Sequence, residues 1–322
     1  MSGRKKGGKK QGQSSSSNKC NGHSDLYKRL SLRSAYFGPF DVPGFRLSGT
    51  TLLHLAAAEE DLALDIAQAL LTCGCISINS QRLDDGWTPL CYASEYGQVN
   101  MVKLFLEQEN IDVNKCSPLI IAASKGHTGV VKLLLACKDI EVNLAGDLKE
   151  FTPLHIAVKE NNETLQTLLS FLTVDVNKHG YKGTTPLHCA CALGHAGLVQ
   201  LLVEHTDLDL NVQDGNGDTA IHIAAQKGHV EVVKILLCCV GIDINKSDSA
   251  GITPLNIAAY KGHVEVVKIL LGCVRIDINK SSIKGATPLY IAASEGHVEV
   301  VKILLGCVGI DIRGHTTLGS CL

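Results

Sequence analysis

The chain has 322 residues, of which 45% are hydrophobic and 19% charged, a composition typical of a folded soluble protein and not of a largely disordered one. It contains no run of 18 or more apolar residues, and its N-terminus lacks the apolar stretch of a secretory signal, so we expect an intracellular protein, cytoplasmic or nuclear, without a membrane span. The net charge of −2 hides an asymmetry, because residues 1–24 carry +6 and the rest of the chain −8.

The N-terminal segment is rich in Lys, Gly and Ser and has nothing to bury, which predicts a disordered basic tail over residues 1–24. Such a tail can be simply solvated, or it can serve nuclear import or nucleic-acid binding through phosphate charge. A membrane-surface role lacks support, since Gly3 does not occupy the position needed for lipidation. Residues 25–45 hold enough apolar side chains to form a lead-in that docks on the folded part.

Beyond this lead-in, a sequence unit recurs at intervals of 29 to 37 residues. Each unit contains TPLH or a variant of it, starting at Thr51, Thr88, Ser117, Thr152, Thr185, Thr219, Thr253 and Thr287. Thr253 is suited to cap a helix, Pro254 fits its first turn, and Gly262 stands where the chain must turn left-handed. The pattern therefore predicts a first helix of about two turns in each unit.

A second helix follows the Gly-His pair of most units. The stretch KGHVEVVKILL occurs at 227–237 and again at 261–271, and 295–305 differs only in its first residue. In the middle copy only Glu265 and Lys268 form a polar stripe, so this helix must be covered on more than one side. Helices this short are not stable alone, and the Ala258-Ala259 pair and its equivalents offer small surfaces for close stacking of neighbouring units.

The segment between units, GIDINKSDSAG in one copy, predicts an extended arm that reverses at a tip. The whole unit resembles the ankyrin repeat, whose pattern runs D-x-x-G-x-T-P-L-H-x-A-A-x-x-G-H. The resemblance covers residues 46–312 as about eight repeats, followed by a short tail at 313–322. It implies an all-α solenoid, a curved stack of helix-turn-helix units with β-hairpin fingers, and a concave face of fingers and first helices that binds other proteins.

Three departures from the pattern matter. The finger between the second and third repeats lacks five residues, which predicts a gap in the row of fingers. The first repeat has Leu52 in place of Pro and Glu60-Asp61 in place of Gly-His, as suits a terminal unit. The eighth repeat is followed by no polar capping repeat, so this end could be covered by a partner or by self-association, or the natural array could be longer.

The thirteen histidines and thirteen cysteines raise the question of a metal or redox site. The densest cluster is His188, Cys189, Cys191 and His195, but its histidines occupy positions set by the repeat, and Cys-x-Cys on a helix points the two thiols apart. Cys73 and Cys75 form a weaker pair. A last set of cysteines recurs in register after the second helices and is explained as small apolar residues: Cys137, Cys239, Cys273 and Cys307. We therefore expect free thiols and no metal.

Catalysis finds no support in the pattern. The Gly-His histidines recur along the stack and do not converge on one pocket. They are His127, His195, His229, His263 and His297, and only three of them have Glu partners: Glu231, Glu265 and Glu299. No phosphate-binding loop, nucleophile elbow or metalloprotease motif is present, so we expect neither an enzyme nor a cofactor.

The resemblance implies a protein-interaction scaffold or adaptor, with unidentified protein partners held by residues that vary between copies. The alternatives are a nucleic-acid-associated or nuclear factor that uses the basic tail, and a regulatory fragment of a larger ankyrin protein. Trp87, the single tryptophan, is either a binding hot spot or a ring lying along its own finger. The predicted contact residues are Asp84, Asp85, Trp87, Glu95, Tyr96, Leu148, Lys149, Phe151, Lys159, Glu160, Tyr181, Lys182, Asn216, Gln226, Lys227, Tyr260, Lys261, Ile283, Lys284, Ser294 and Glu295.

Overall fold

The computed structural model describes residues 51–58, 63–73, 76–146, 150–160 and 163–312. These residues contain eight consecutive pairs of short α-helices. The first helices are α1 (Leu52–Ala58), α3 (Pro89–Glu95), α5 (Pro118–Lys125), α7 (Pro153–Lys159), α9 (Pro186–Leu193), α11 (Ala220–Lys227), α13 (Pro254–Lys261) and α15 (Pro288–Ser294). The second helices are α2 (Ala63–Cys73), α4 (Val99–Leu106), α6 (Thr128–Leu135), α8 (Thr164–Leu169), α10 (Ala196–Val203), α12 (Val230–Cys238), α14 (Val264–Leu271) and α16 (Val298–Leu305). The basic tail, the lead-in and the C-terminal tail predicted above lie outside the described residues.

The predicted signals for the first helix are confirmed. Thr253 precedes α13, and its side chain accepts a hydrogen bond from the Asn256 N–H at 3.2 Å. Pro254 is the first helical residue, where no N–H is required. Gly262 ends the helix with φ of +69°, a left-handed conformation that glycine adopts without steric penalty. Thr185, Pro186 and Gly194 play the same roles at the ends of α9.

The helices stack as an all-α solenoid. Each first helix packs on the first helix of the next repeat, and most second helices pack on the neighbouring second helix. Ala258 and Ala259 are fully buried between α11 and α15, which confirms that small side chains permit the close approach. In α14, Val266, Val267 and Leu270 are buried, while Lys268 and Glu265 form an exposed ion pair at 2.7 Å.

A ladder of asparagines joins the finger bases. The Asn245 side chain donates to the Arg275 carbonyl at 2.7 Å and accepts from the Asp277 N–H at 2.8 Å, both in the next repeat. The equivalent bonds are made by Asn79, Asn114, Asn143, Asn177, Asn211 and Asn279. One amide side chain per repeat therefore fixes the spacing between consecutive units.

The fingers reverse through hydrogen-bonded turns, and no strand occurs among the described residues. In the seventh repeat the Asp248 N–H donates to the Ile252 carbonyl at 2.9 Å, closing the tip. The shortened third finger turns instead through Cys116 and Ser117, whose φ angles of +61° and +55° are left-handed. Non-glycine residues adopt this conformation at a cost of roughly 1–2 kcal/mol each, which is the local consequence of the five missing residues.

Candidate protein-interaction surface

The predicted contact residues within the described ranges are all at least partly accessible to solvent. Trp87, Glu95, Phe151 and Gln226 are half-buried, and the others are exposed. Leu148 and Lys149 lie outside the described residues. The exposed members occupy two places in each repeat: the fingertip, which precedes the first helix, and the last turn of that helix.

In the second repeat a polar cluster fastens the finger to α3. Arg82 donates to the Tyr92 hydroxyl at 2.7 Å, and that hydroxyl donates to Asp85 at 2.6 Å. Arg82 also pairs with Asp84 at 2.9 Å. Burial, followed by the bond to Asp85, raises the pKa of Tyr92 to about 12. Asp84 and Asp85 are therefore committed to contacts within their own repeat.

Trp87 belongs to the same assembly. Its ring meets the Tyr92 ring edge-on, with 5.4 Å between centroids, and its carbonyl oxygen accepts a hydrogen bond from His54 at 3.0 Å. The half-buried Trp87 ring therefore packs within its own finger, and its contribution to partner binding stays a prediction.

The charges at the helix ends of the second to fourth repeats are largely paired. Glu95 forms an ion pair with Lys125 of the neighbouring first helix at 2.9 Å. The Lys159 Nζ and Glu160 Oε1 atoms lie 3.6 Å apart. Phe151 packs its ring against His155 with 5.3 Å between centroids. Glu95 is a predicted contact residue, but its partner Lys125 carries no local signal in the sequence, because the pair joins residues of different repeats.

The fifth to eighth repeats present a different chemistry. Tyr181 and Tyr260 are about half exposed, and each lies beneath the ammonium group of the following lysine, Lys182 at 5.5 Å and Lys261 at 4.9 Å from the ring centroid. Ile283 is 77% exposed at its fingertip. These side chains combine apolar area with positive charge, a combination suited to contact with a protein.

The fingertips of these last four repeats are joined by their backbones. Gly215 N–H donates to the Lys182 carbonyl at 2.7 Å, Ser249 N–H to the Asn216 carbonyl at 3.1 Å, and Ile283 N–H to the Ala250 carbonyl at 3.0 Å. Glycine is required where the tips meet, since a Cβ on Gly217 would lie 2.5 Å from the Ser249 nitrogen. The four tips therefore form one continuous edge.

Acidic residues lie beneath these tips. The Asp214 carboxylate accepts from the Asn216 and Asp218 N–H groups, and that of Asp248 accepts from the Ala250 and Ile252 N–H groups, at 2.8–3.0 Å. Burial, together with these two neighbouring carboxylates, raises the pKa of Asp218 to about 6. Asp214 and Asp248 thus hold the turns from half-buried positions.

The histidines of the TPLH motifs link their first helices to the next repeat. In His188, Nδ1 accepts from the Thr185 N–H at 3.1 Å, which leaves Nε2–H to donate to the Asp218 carbonyl of the next repeat at 3.0 Å. The same arrangement occurs at His54, His155 and His222. Burial lowers the pKa of all four rings, that of His155 to about 4. These neutral side chains join neighbouring repeats.

The Gly-His histidines join repeats in the opposite direction. His263 Nε2 lies 3.1 Å from the Gln226 carbonyl of the preceding repeat, and His297 Nε2 lies 2.9 Å from that of Tyr260. The ring also covers the glycine that ends the preceding first helix, as a Cβ on Gly262 would lie 2.5 Å from His297. His263 and His297 are thus held at the junctions between repeats.

The cysteines offer no cluster in the described part of the chain. Cys191 is fully buried, and burial raises its pKa and also that of Cys189, to about 11. Both ring nitrogens of His188 are occupied as described above. Within the described ranges, no three His, Cys, Asp or Glu side chains are close enough to hold a metal ion. Cys75 lies outside those ranges.

Comparison with known proteins agrees with this geometry. The family model for ankyrin repeats (3 copies) matches residues 17–115, 112–180, 154–248 and 240–315. Human transient receptor potential cation channel subfamily A member 1 is 28% identical over 156 residues, which are 48% of this chain and 11% of that protein. The chain thus spans about a tenth of that relative's length. Among the described helices, none has the length and apolarity needed to cross a membrane.

Proposed function

The chain belongs to the ankyrin repeat family, which generally mediates protein–protein interaction and is typically non-catalytic, and from this premise we propose that it is a scaffold or adaptor. The partner protein binds across the fingertips and the last turns of the first helices, the surface that the family's fold makes concave. No chemical step at this surface is part of the proposal.

One observation supports this assignment above the others. Residues that are repeated from copy to copy hold the stack together. The alanines lie in the contacts between helices, and the asparagines and histidines form hydrogen bonds between repeats. Residues that change between copies, such as Tyr260 and Ile283, remain exposed at the fingertips and helix ends. Variation on a rigid repeated frame is how a common fold acquires an individual partner.

An affinity capture experiment tests the proposal. The intact chain is immobilised, and bound proteins are identified after capture from the native cell. The variant Tyr181→Ala, Tyr260→Ala, Ile283→Ala removes three exposed apolar side chains from the proposed surface. The matched control, Val240→Ala, Val274→Ala, Val308→Ala, removes three from the exposed loops after the second helices.

We expect the first variant to lose at least about tenfold in affinity for the captured protein, because exposed aromatic side chains are frequent hot spots, and the control to bind normally. Thermal unfolding of both variants checks that folding is preserved. Equal capture by both variants would contradict the proposed surface. Capture with residues 1–45 removed distinguishes it from binding through the basic tail.

A further inference from the structure

Four exposed lysines lie at the fingertips and first-helix ends of the last four repeats. Lys182 and Lys284 lie at fingertips, and Lys227 and Lys261 at first-helix ends. Within the described residues, none of their ammonium groups lies within 4.0 Å of a carboxylate, whereas Lys125 and Lys159 at the same helix ends of earlier repeats are paired. We call these four residues the lysine rim.

The acidic side chains of these fingertips lie deeper than the lysine rim. The carboxylates of Asp214 and Asp248 accept backbone hydrogen bonds within their own turns and are half-buried. Glu295, at the end of α15, is the exposed acid among the predicted contact residues of these repeats. The outermost charges of the fingertips are therefore positive, on a chain whose residues 25–322 carry a net charge of −8.

The lysine rim stands on a fixed backbone and is interleaved with apolar surface. The backbone bonds between consecutive tips hold Lys182 and Lys284 at the two ends of one continuous edge. Tyr181, Tyr260 and Ile283 stand next to its lysines. A fixed array loses less conformational entropy on binding than a flexible one, and apolar neighbours add contact area that charge alone does not supply.

We infer that the lysine rim binds an acidic segment of a partner protein, with carboxylates on Lys182, Lys227, Lys261 and Lys284 and apolar side chains on the neighbouring Tyr181, Tyr260 and Ile283. The inference rests on the proposed function and adds the chemistry of the partner. Complementary charge steers such a segment to the surface and fixes its register. The chain's own Lys-rich head carries the same sign of charge and is therefore an unsuitable occupant.

The test uses the full chain and a fluorescent peptide of about 15 residues in which Asp and Glu alternate with Leu and Phe, with binding followed by anisotropy. We expect saturable binding that weakens at least about tenfold between roughly 0.05 M and 0.3 M salt, as screening predicts. The rim variant is Lys182→Gln, Lys227→Gln, Lys261→Gln, Lys284→Gln. The control variant, Lys132→Gln, Lys234→Gln, Lys268→Gln, Lys302→Gln, removes the same charge from exposed positions on second helices.

The inference predicts at least about a tenfold loss of peptide affinity in the rim variant and less than about a twofold change in the control. Equal losses in both variants, or no binding to the parent chain, would overturn it. Tighter binding of a single-stranded RNA of similar length, dependent on the same four lysines, would overturn it in favour of a nucleic-acid ligand. If the peptide fails while the Tyr181, Tyr260 and Ile283 variant still loses its captured protein, the inference falls and the proposed function stands. If the peptide does not bind and the Tyr181, Tyr260 and Ile283 variant captures its protein normally, both the inference and the proposed surface are wrong.

Discussion

At the scale of single residues, the buried histidines of the first helices are the most informative feature. His155 has both ring nitrogens engaged, Nδ1 with Thr152 and Nε2 with the Thr184 carbonyl of the next repeat. Nδ1 can accept the Thr152 N–H only while it carries no proton. The bond to Thr152 therefore depends on a neutral ring, which carries its proton on Nε2 and donates it to the next repeat, and the same holds for His54, His188 and His222.

This dependence predicts a loss of stability in acid. The pKa of His155 falls from its ordinary value of 6.5 to about 4 on folding. Between these values the unfolded chain binds a proton that the folded chain does not, so the stabilisation is complete above pH 6.5 and is lost as pH falls to 4. For His155 alone this amounts to at most roughly 3 kcal/mol, at about 1.4 kcal/mol per pKa unit.

A variant separates this contribution from general acid denaturation. His155→Asn keeps the bond to Thr152, as Asn256 does to Thr253 in the seventh repeat, but cannot reach the next repeat. Urea unfolding should show the variant less stable by about 1 kcal/mol at pH 7.5. Because the parent chain loses roughly 2 kcal/mol of the His155 contribution between pH 6.5 and 5, the difference should vanish and reverse by pH 5. A difference that stays constant or grows toward acid pH would refute the assignment.

Position 256 offers a substitution that should increase the free energy of unfolding. The side-chain NH₂ of Asn256 is buried and has no hydrogen-bond partner among the described residues, since the Asn side chain is shorter than the imidazole at the same position of four other repeats. Asn256→His would let Nε2 reach the Ala286 carbonyl, as His222 reaches that of Ile252 at 3.0 Å. We expect a stabilisation of about 1 kcal/mol. Tyr290→His, at the exposed equivalent position of the last repeat, is the control and should show no such gain in thermal unfolding.

At the scale of the helical elements, the glycine that ends each first helix has two separable roles. Gly262 has φ of +69° and lies under the His297 ring, whereas Gly296 has φ of +75° and a Cβ added there would meet no neighbour within 4 Å. Gly296→Ala should therefore cost only the left-handed strain, roughly 1–2 kcal/mol. Gly262→Ala should cost about 1–3 kcal/mol more, because the ring must move and its bond to Tyr260 is lost.

Denaturant unfolding of these two variants measures the difference directly. The two glycines stand in nearly identical sequences, so intrinsic helix propensity cancels in the comparison. Equal losses of stability would mean that the ring is not a fixed part of the junction between repeats.

The helices could be predicted from sequence because their signals are local. Thr253, Pro254 and Gly262 act through bonds within a few residues, and the apolar pattern of VEVVKILL needs no knowledge of the fold. The contacts between repeats could not be read in the same way. Arg82, Lys125 and the fingertip backbone bonds depend on the folded positions of residues that are well separated in the chain, and the role of Asn245 emerges only when its partner repeat is in place.

At the scale of the whole molecule, stability is carried by junctions between repeats, so the last repeat differs from its copies in having one face without a neighbour among the described residues. Val298 is 63% and Leu305 52% exposed, while Val264 and Leu271, the same positions of the preceding repeat, are half-buried. In a stacked array the stability of each unit is close to the sum of its own contribution and its interfaces. The eighth repeat should therefore open more readily than the sixth and seventh.

Hydrogen exchange can test this with unusual precision, because α12, α14 and α16 share the octapeptide VEVVKILL and hence the same intrinsic exchange rates. Peptides that extend back to Gln226, Tyr260 or Ser294 distinguish the three copies by mass. We expect protection to be similar in α12 and α14 and lower in α16, since its opening breaks one interface instead of two. Equal protection of all three helices in the isolated chain would show that the exposed face of α16 is covered, and dilution would then reveal whether a second copy of the chain covers it.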